Sequence, residues 1–232
     1  MKETLKVVIP VYNEEGAIAV VIEDWTKMLV SLKIDFHIYI YNDGSKDDTL
    51  LILNNLAKEN SHLVIVDKPN SGHGPSILKG YKDNLDAKWL FQVDSDNELK
   101  AADFDKFWKE RKNFDFIIGK RIQRESPLPR MIITQISRLV IGLFYGFKIT
   151  DVNTPYRLIK VEAFSKDINR ISDNTFAPNL IISGLANLKN RKIKQIELIH
   201  HNRQTGEVSI KKWKLLKAAF KSFWQTMVFR FR

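Results

Sequence analysis

The feature that most constrains this chain is an alternation in its first 120 residues. Five short apolar runs occur there: LKVVIPVY (5–12), DFHIYIYND (35–43), HLVIVDK (62–68), KWLFQVD (88–94) and DFIIGKR (115–121). Helical patterns fall between them, over about 14–32, 46–59, 75–84 and from about 102 onward. Short apolar strands separated by helices predict an α/β, doubly wound, mostly parallel sheet. Ligands of such sheets bind beyond the carboxyl ends of the strands. Four consecutive strand ends carry polar clusters: YNEE, NDGSKDD, NSGHGPS and DSDNE. One rim therefore collects the residues capable of chemistry.

After residue 120 the pattern changes. RMIITQISRLVIGLFYGFK predicts a long apolar helix or helix pair, dotted with Arg130, Arg138 and Lys148. DVNTPYRLIK follows, then a short helical region near APNLIISGLANL, a strand KIKQIELIHHN and a terminal helix from about residue 211. At 100° per residue, Trp213, Leu216, Phe220, Phe223, Trp224 and Met227 share one broad face of that helix, and Lys214, Lys217 and Lys221 share another. Two readings follow: a helix lying in a membrane interface, or one packed on the sheet with a solvated basic side.

The acidic cluster DSDNE has two readings as well. Positions i and i+2 of an extended segment project to one side, so Asp94 and Asp96 can face one point, with Glu98 beyond them. Hard oxygens around one point suit Mg²⁺ or Mn²⁺, which also keep water and phosphate oxygens as ligands. The alternative is a solvated turn in which Asp96 or Asn97 caps the next helix. A calcium EF-hand is disfavoured, because its sixth loop position would be Leu99 rather than Gly and its twelfth Asp105. In NDGSKDD, Ser45 or Asp47 is expected to cap a helix, and Asp43 sits at the strand end where it can accept hydrogen bonds from a base or ribose. NSGHGPS matches neither the P-loop spacing nor G-x-G-x-x-G, and His73 reads as a loop residue rather than a base.

Composition narrows the classes. The absence of cysteine excludes disulfides and thiolate metal sites. The net charge is +10, and residues 203–232 hold eight Lys or Arg against Glu207 alone, a net of +7. Such a tail fits an anionic membrane surface, a phosphorylated substrate or nucleic acid. No apolar run approaches the roughly 20 residues of a spanning helix, and the chain enters its first strand with no signal-peptide pattern.

The ordered set VVIPVYNEE, YNDGSKDDT, GHGPSILKGY, VDSDNE and IIGKR resembles family 2 glycosyltransferases with the GT-A, Rossmann-like fold. The later DVNTPYRLIK and NRQTGEVS resemble the dolichol-phosphate mannosyltransferase and polyprenyl-phosphate glycosyltransferase branch. The resemblance implies a glycosyltransferase domain over 1–210, with a nucleotide-sugar half (1–120) and an acceptor half (121–210), followed by a basic amphipathic helix (211–232). It implies that Pro10, Tyr12, Glu14 and Asp43 line the base and ribose of a UDP- or GDP-linked sugar. Asp94, Ser95 and Asp96 would border the donor diphosphate, with Asp94, Asp96 and Glu98 on a Mg²⁺ or Mn²⁺ ion; the branch usually has Gln where Glu98 stands. Arg121, Arg130, Thr134 and Arg203 would bind the phosphate of a polyprenyl acceptor, and Asp94, Asp96 and Arg121 would be catalytic.

No Asp or Glu lies between Asn174 and Ile196, where relatives that transfer to hydroxyls carry a catalytic carboxylate; Asn179 and Ser183 stand there instead. A phosphate acceptor needs no strong base, whereas a glycan hydroxyl would. The implied enzyme inverts, works at the cytoplasmic face of a membrane as a peripheral protein, and binds no nucleic acid. The branch also allows a membrane-spanning partner or a homo-oligomer.

Overall fold

A continuous apolar strand is stable only where both of its faces are covered. The computed structural model describes residues 4–122, 128–201 and 212–231. Among them β1 (Thr4–Val11), β2 (Asp35–Asn42), β3 (Leu63–Asp67), β4 (Trp89–Gln92), β5 (Phe116–Ile122), β6 (Arg157–Lys160) and β7 (Ile193–Ile199) form one sheet in the order β3-β2-β1-β4-β6-β5-β7. Eight helices cover it: α1 (Ile18–Ser31), α2 (Thr49–Glu59), α3 (His73–Asp83), α4 (Phe104–Glu110), α5 (Leu128–Tyr145), α6 (Val161–Arg170), α7 (Pro178–Leu188) and α8 (Lys212–Phe231). Residues Val7 to Val11 of β1 are all buried, Val7, Ile9 and Val11 in one core and Val8 in the other. The first core holds Trp25, Phe91, Phe104, Phe107 and Tyr156 with ring centroids 4.7–6.3 Å apart. The Tyr156 hydroxyl leaves that cluster to donate to the Lys100 carbonyl at 3.1 Å, which anchors the loop after β4.

The sheet is doubly wound and mostly parallel, as expected, with one exception. β6 runs antiparallel to both of its neighbours, β4 and β5. Neither β6 nor α6 was anticipated. Four residues are too few to show a period-2 pattern, and β6 owes its strand geometry to the two strands that flank it. Helix α6 did carry a signal, since Val161, Phe164 and Ile168 recur at helical spacing and all are buried.

Helix starts also differ from expectation. α1 begins at Ile18 rather than near 14, because the Glu14 carbonyl accepts the N–H groups of Ala17 and Ile18 in a turn. Ser45 does not cap α2: its hydroxyl donates to Asn42 and accepts the Asn13 N–H. Asp47 takes the Thr49 N–H at the start of that helix. Asp96 and Asn97 cap nothing either, since the next helical turn starts at Ala101 with Lys100 before it. α5 is one helix, not a pair. The side chains of Arg130, Thr134, Trp213, Lys214, Leu216 and Lys217, and all of Arg203, lie outside the described residues.

Candidate active site

The strand order turns back at β1, with β2 on one side and β4 on the other, and this is where a doubly wound sheet opens a crevice. The loops bordering it are clasped together. Asn13 Oδ1 accepts the Lys46 N–H (2.8 Å), Glu15 accepts the Asp48 N–H (2.9 Å), and the Glu14 N–H donates to Thr49 (2.8 Å). Asn13 and Asn97 adopt φ of 54° and 57°, a left-handed conformation that Asn tolerates better than most residues. Pro10, Glu14 and Asp43 are buried, and Tyr12 is half-buried at the end of β1.

Asp43 organises the third loop. Its carboxylate accepts from Lys68 Nζ, from the Ser71 N–H (2.8 Å) and from the Gly72 N–H (2.8 Å). Asn70 donates to its carbonyl (2.8 Å). Burial works against the charged carboxylate, but the Lys68 bond and the two backbone N–H groups outweigh it and hold the carboxyl below its usual range. Lys68 was not singled out in the sequence, although it closes the third apolar run.

His73 opens α3, and its Nε2 lies 3.4 Å from Asp94 Oδ1. The third and fourth loops therefore meet at Asp94. Gln92, fully buried in β4, donates to Asp94 Oδ1 at 2.9 Å. Asn179 of α7 donates to Gln92 (3.1 Å), Tyr81 of α3 donates to Asn179 (3.1 Å), and Arg157 of β6 donates to the Asn179 carbonyl (3.0 Å). This relay from three elements orients the carboxylate. A polar Gln inside the apolar WLFQV run was the available signal for it.

Asp94, Asp96 and Glu98 line one cavity with Val93, Leu99, Arg121, Pro155 and His200. Asp96 accepts the Glu98 N–H (3.2 Å), and Glu98 pairs with His200 Nε2 at 2.9 Å. Arg121 is gripped by Asp151 through Nε (2.8 Å) and Nη2 (2.9 Å), a bidentate fork. Burial opposes the charge of Arg121, but Asp151 and the cavity carboxylates keep it firmly cationic. Burial, with Glu98 adding, pushes the Asp94 carboxyl up, while His73, Arg121 and Arg157 pull it back.

Among the described residues no three acidic or imidazole side chains close a metal cage by themselves. Mg²⁺ takes one or two carboxylates and completes its shell with substrate phosphates and water. A cation between these carboxylates would also offset the burial cost at Asp94. Asp94, Asp96 and Glu98 line one cavity and offer the hard oxygens such an ion takes. Glu98→Ala is expected to weaken Mn²⁺ binding about tenfold, and Glu98→Gln by less than about threefold, because an amide oxygen can still be a ligand. Mn²⁺ titration followed by electron paramagnetic resonance reads both, and an alanine variant that binds Mn²⁺ as the parent does would show that Glu98 takes no part.

The fold is that of the GT-A glycosyltransferases. Glucosyl-3-phosphoglycerate synthase from Mycobacterium tuberculosis, solved with Mn²⁺, uridine diphosphate and phosphoglyceric acid, superposes with a TM-score of 0.73 at 14% identity, over 98% of this chain and 78% of that one. The family model for glycosyl transferase family 2 matches residues 6–170, and the chain belongs to that family. An uncharacterised protein of Methanocaldococcus jannaschii is 30% identical over 88% of this chain and 92% of its own. A dolichyl-phosphate beta-glucosyltransferase of Trichomonas vaginalis is 29% identical over 59% of this chain and 47% of its own length. An undecaprenyl-phosphate 4-deoxy-4-formamido-L-arabinose transferase of Photorhabdus laumondii is 23% identical over 93% and 66%. The chain thus spans about half and just under two thirds of these two transferases.

Proposed function

We propose that this glycosyltransferase moves a sugar, with inversion, from a UDP- or GDP-linked donor to a polyprenyl phosphate at the cytoplasmic face of a membrane. The observation that carries the reading is Arg121, held by Asp151 in the same cavity as Asp94, Asp96 and Glu98. One cavity then offers a cation for an acceptor phosphate and carboxylates for the metal on a donor diphosphate. Mg²⁺ or Mn²⁺ held by Asp94, Asp96 and Glu98 would act as a Lewis acid on the charge of the departing nucleoside diphosphate.

Pro10, Tyr12, Glu14 and Asp43 border the base and ribose, and Asp94, Ser95 and Asp96 the diphosphate. Arg121, with Arg130, Thr134 and Arg203, receives the acceptor phosphate. One of its oxygens forms the bond to the anomeric carbon as the bond from that carbon to the diphosphate breaks on the opposite side. That oxygen is already ionised near neutral pH, so no general base is needed. The relatives named for dolichyl and undecaprenyl phosphate support the same reading. The domain is taken as residues 1–210, its first 120 for the donor and the remainder for the acceptor.

Radiolabelled UDP- and GDP-sugars incubated with the protein, Mn²⁺ and a polyprenyl phosphate are expected to yield label that extracts into organic solvent. Label found only in water-soluble saccharide would make the acceptor a glycan hydroxyl and sink the lipid-phosphate assignment.

A further inference from the structure

Helix α7 opens without a cap of its own. Pro178 stands in its first turn, and Ala177 before it offers no side chain to hold the free N–H groups. Yet this turn carries Asn179, whose amide sets Gln92 and, through it, Asp94. The turn is fixed instead by the segment that leads into it. Lys82 of α3 holds the upstream end, donating to the Ile171 carbonyl (2.7 Å) and to Asp173 (2.6 Å). The downstream end is held from α8. Gln225 Oε1 accepts the Phe176 N–H (2.8 Å), and its Nε2 donates to the Asn174 carbonyl (3.1 Å). One planar amide thus serves a backbone donor and a backbone acceptor together, as a neighbouring strand would. The seat beneath is tight: a Cβ at Gly74, in the first turn of α3, would stand 2.0 Å from the Phe176 carbonyl oxygen. Helix α8 is itself well anchored, since Ser222 and Thr226 are buried and Tyr145 donates to the Thr226 carbonyl (2.7 Å).

We propose that Gln225 is a positioning residue for Asp94: from the last helix it fixes residues 174–176, and with them the Asn179–Gln92 relay that aims the carboxylate. This rests on the reading of Asp94 as a metal ligand. The sequence places residues 211–232 beyond the transferase domain, so the contact gives α8 a part in the site that its position in the chain does not suggest. Gln225 acts through distance and angle and not through charge, because it meets only backbone amides. Metal ligands depend on the outer groups that orient them, and small misplacements slow turnover more than they weaken substrate binding. With both bonds gone, Phe176 and Asn174 lose their side-chain partner at the downstream end, where α7 begins. The first turn of α7 can then shift, and Gln92 no longer holds Asp94 Oδ1 in one place.

The test uses the full chain and Mn²⁺ titration followed by electron paramagnetic resonance. Gln225→Met, of like length but without either bond, is expected to weaken Mn²⁺ binding about fivefold. It should lower kcat about tenfold at saturating Mn²⁺, with the donor KM within about twofold. Gln225→Ala should do the same, and Gln225→Met keeps the site filled should the alanine variant fold poorly. In a Gln92→Ala background, where the relay is already cut, Gln225→Met should weaken Mn²⁺ binding by less than about 1.5-fold more. Tyr145→Phe loosens α8 without touching residues 174–176, so it should lower Tm and bind Mn²⁺ as the parent does. The proposal is overturned if Gln225→Met matches the parent in both readouts, if its effect adds in full to that of Gln92→Ala, or if Tyr145→Phe reproduces it. An Asp94→Ala variant with the parent's Mn²⁺ affinity would remove the metal reading and the positioning role together. A disabled Asp94→Ala beside a parental Gln225→Met would remove the positioning role alone.

Discussion

Asp94→Ala is expected to lower kcat/KM about a thousandfold, a loss near 4 kcal/mol of transition-state stabilisation. The reasoning starts from position. Asp94 follows β4, where the carboxyl edge of the sheet opens, and Gln92, Asn179 and Tyr81 fix the direction of its carboxylate. A group that steadies a cation on a departing diphosphate acts where charge grows, so its loss falls on the chemical step. Stability should move the other way. Burial raises the Asp94 carboxyl above its usual range. The folded chain then holds that proton more tightly than the unfolded chain does, and stability is lost as pH rises past the ordinary carboxylate range near 4. Asp94→Asn removes this cost. It should melt no lower than the parent at pH 7 while losing activity comparably. Gln92→Ala, which only frees the carboxylate to turn, should cost far less activity than Asp94→Ala. Activity of Asp94→Ala within tenfold of the parent would remove Asp94 from the machinery.

Arg157→Leu is expected to destabilise the fold by about 3–5 kcal/mol, which for a chain of this size lowers Tm by roughly 10 °C. Arg157 is 0% exposed. Its guanidinium donates to the carbonyls of Thr154 (3.1 and 2.5 Å), Asn179 (3.0 Å) and Val152 (3.5 Å), and to the Ser183 hydroxyl (3.4 Å). None of these acceptors is a carboxylate. Leucine would match the volume only in part and would leave several carbonyls buried with their donor gone. A carbonyl cannot be repacked as a side chain can, so this differs from exchanging a whole ion pair for apolar residues, which is often neutral. Arg157→Lys, with one nitrogen in place of three, should fall between leucine and the parent. A thermal melt of Arg157→Leu within about 2 °C of the parent would show that the carbonyls find other donors.

The two predictions are linked through Asn179. The same residue accepts from Arg157 through its carbonyl and donates to Gln92 through its amide. Damage at Arg157 should therefore reach Asp94 as well, and the soluble fraction of Arg157→Lys should show reduced kcat.

Much of the site was readable in the sequence because it depends on local order. A strand end is marked by where the apolar run stops, and four such ends in succession placed YNEE, NDGSKDD, NSGHGPS and DSDNE on one rim. What the sequence did not reveal is pairing at a distance. Glu98 meets His200, Gln92 meets Asn179, and Arg121 meets Asp151 across 102, 87 and 30 residues. No spacing rule joins residues so far apart. Lys68 is closer to Asp43, yet their contact needs β2 and β3 to pair in register first.

The last helix divides the two kinds of information most sharply. Its sequence alone determines that the helix has an aromatic side and a polar one, since 3.6 residues per turn sorts any sequence into faces. Which side turns inward is settled by what the body offers. Tyr145 and the backbone of Phe144, Asn174 and Phe176 present hydrogen-bonding groups, and a close approach to them favours the small, polar Ser222 side with Gln225 and Thr226. Phe229 packs on the second core beside them, while Phe220, Trp224 and Phe231 are left outside, because burying those rings against the polar groups would strand them without partners.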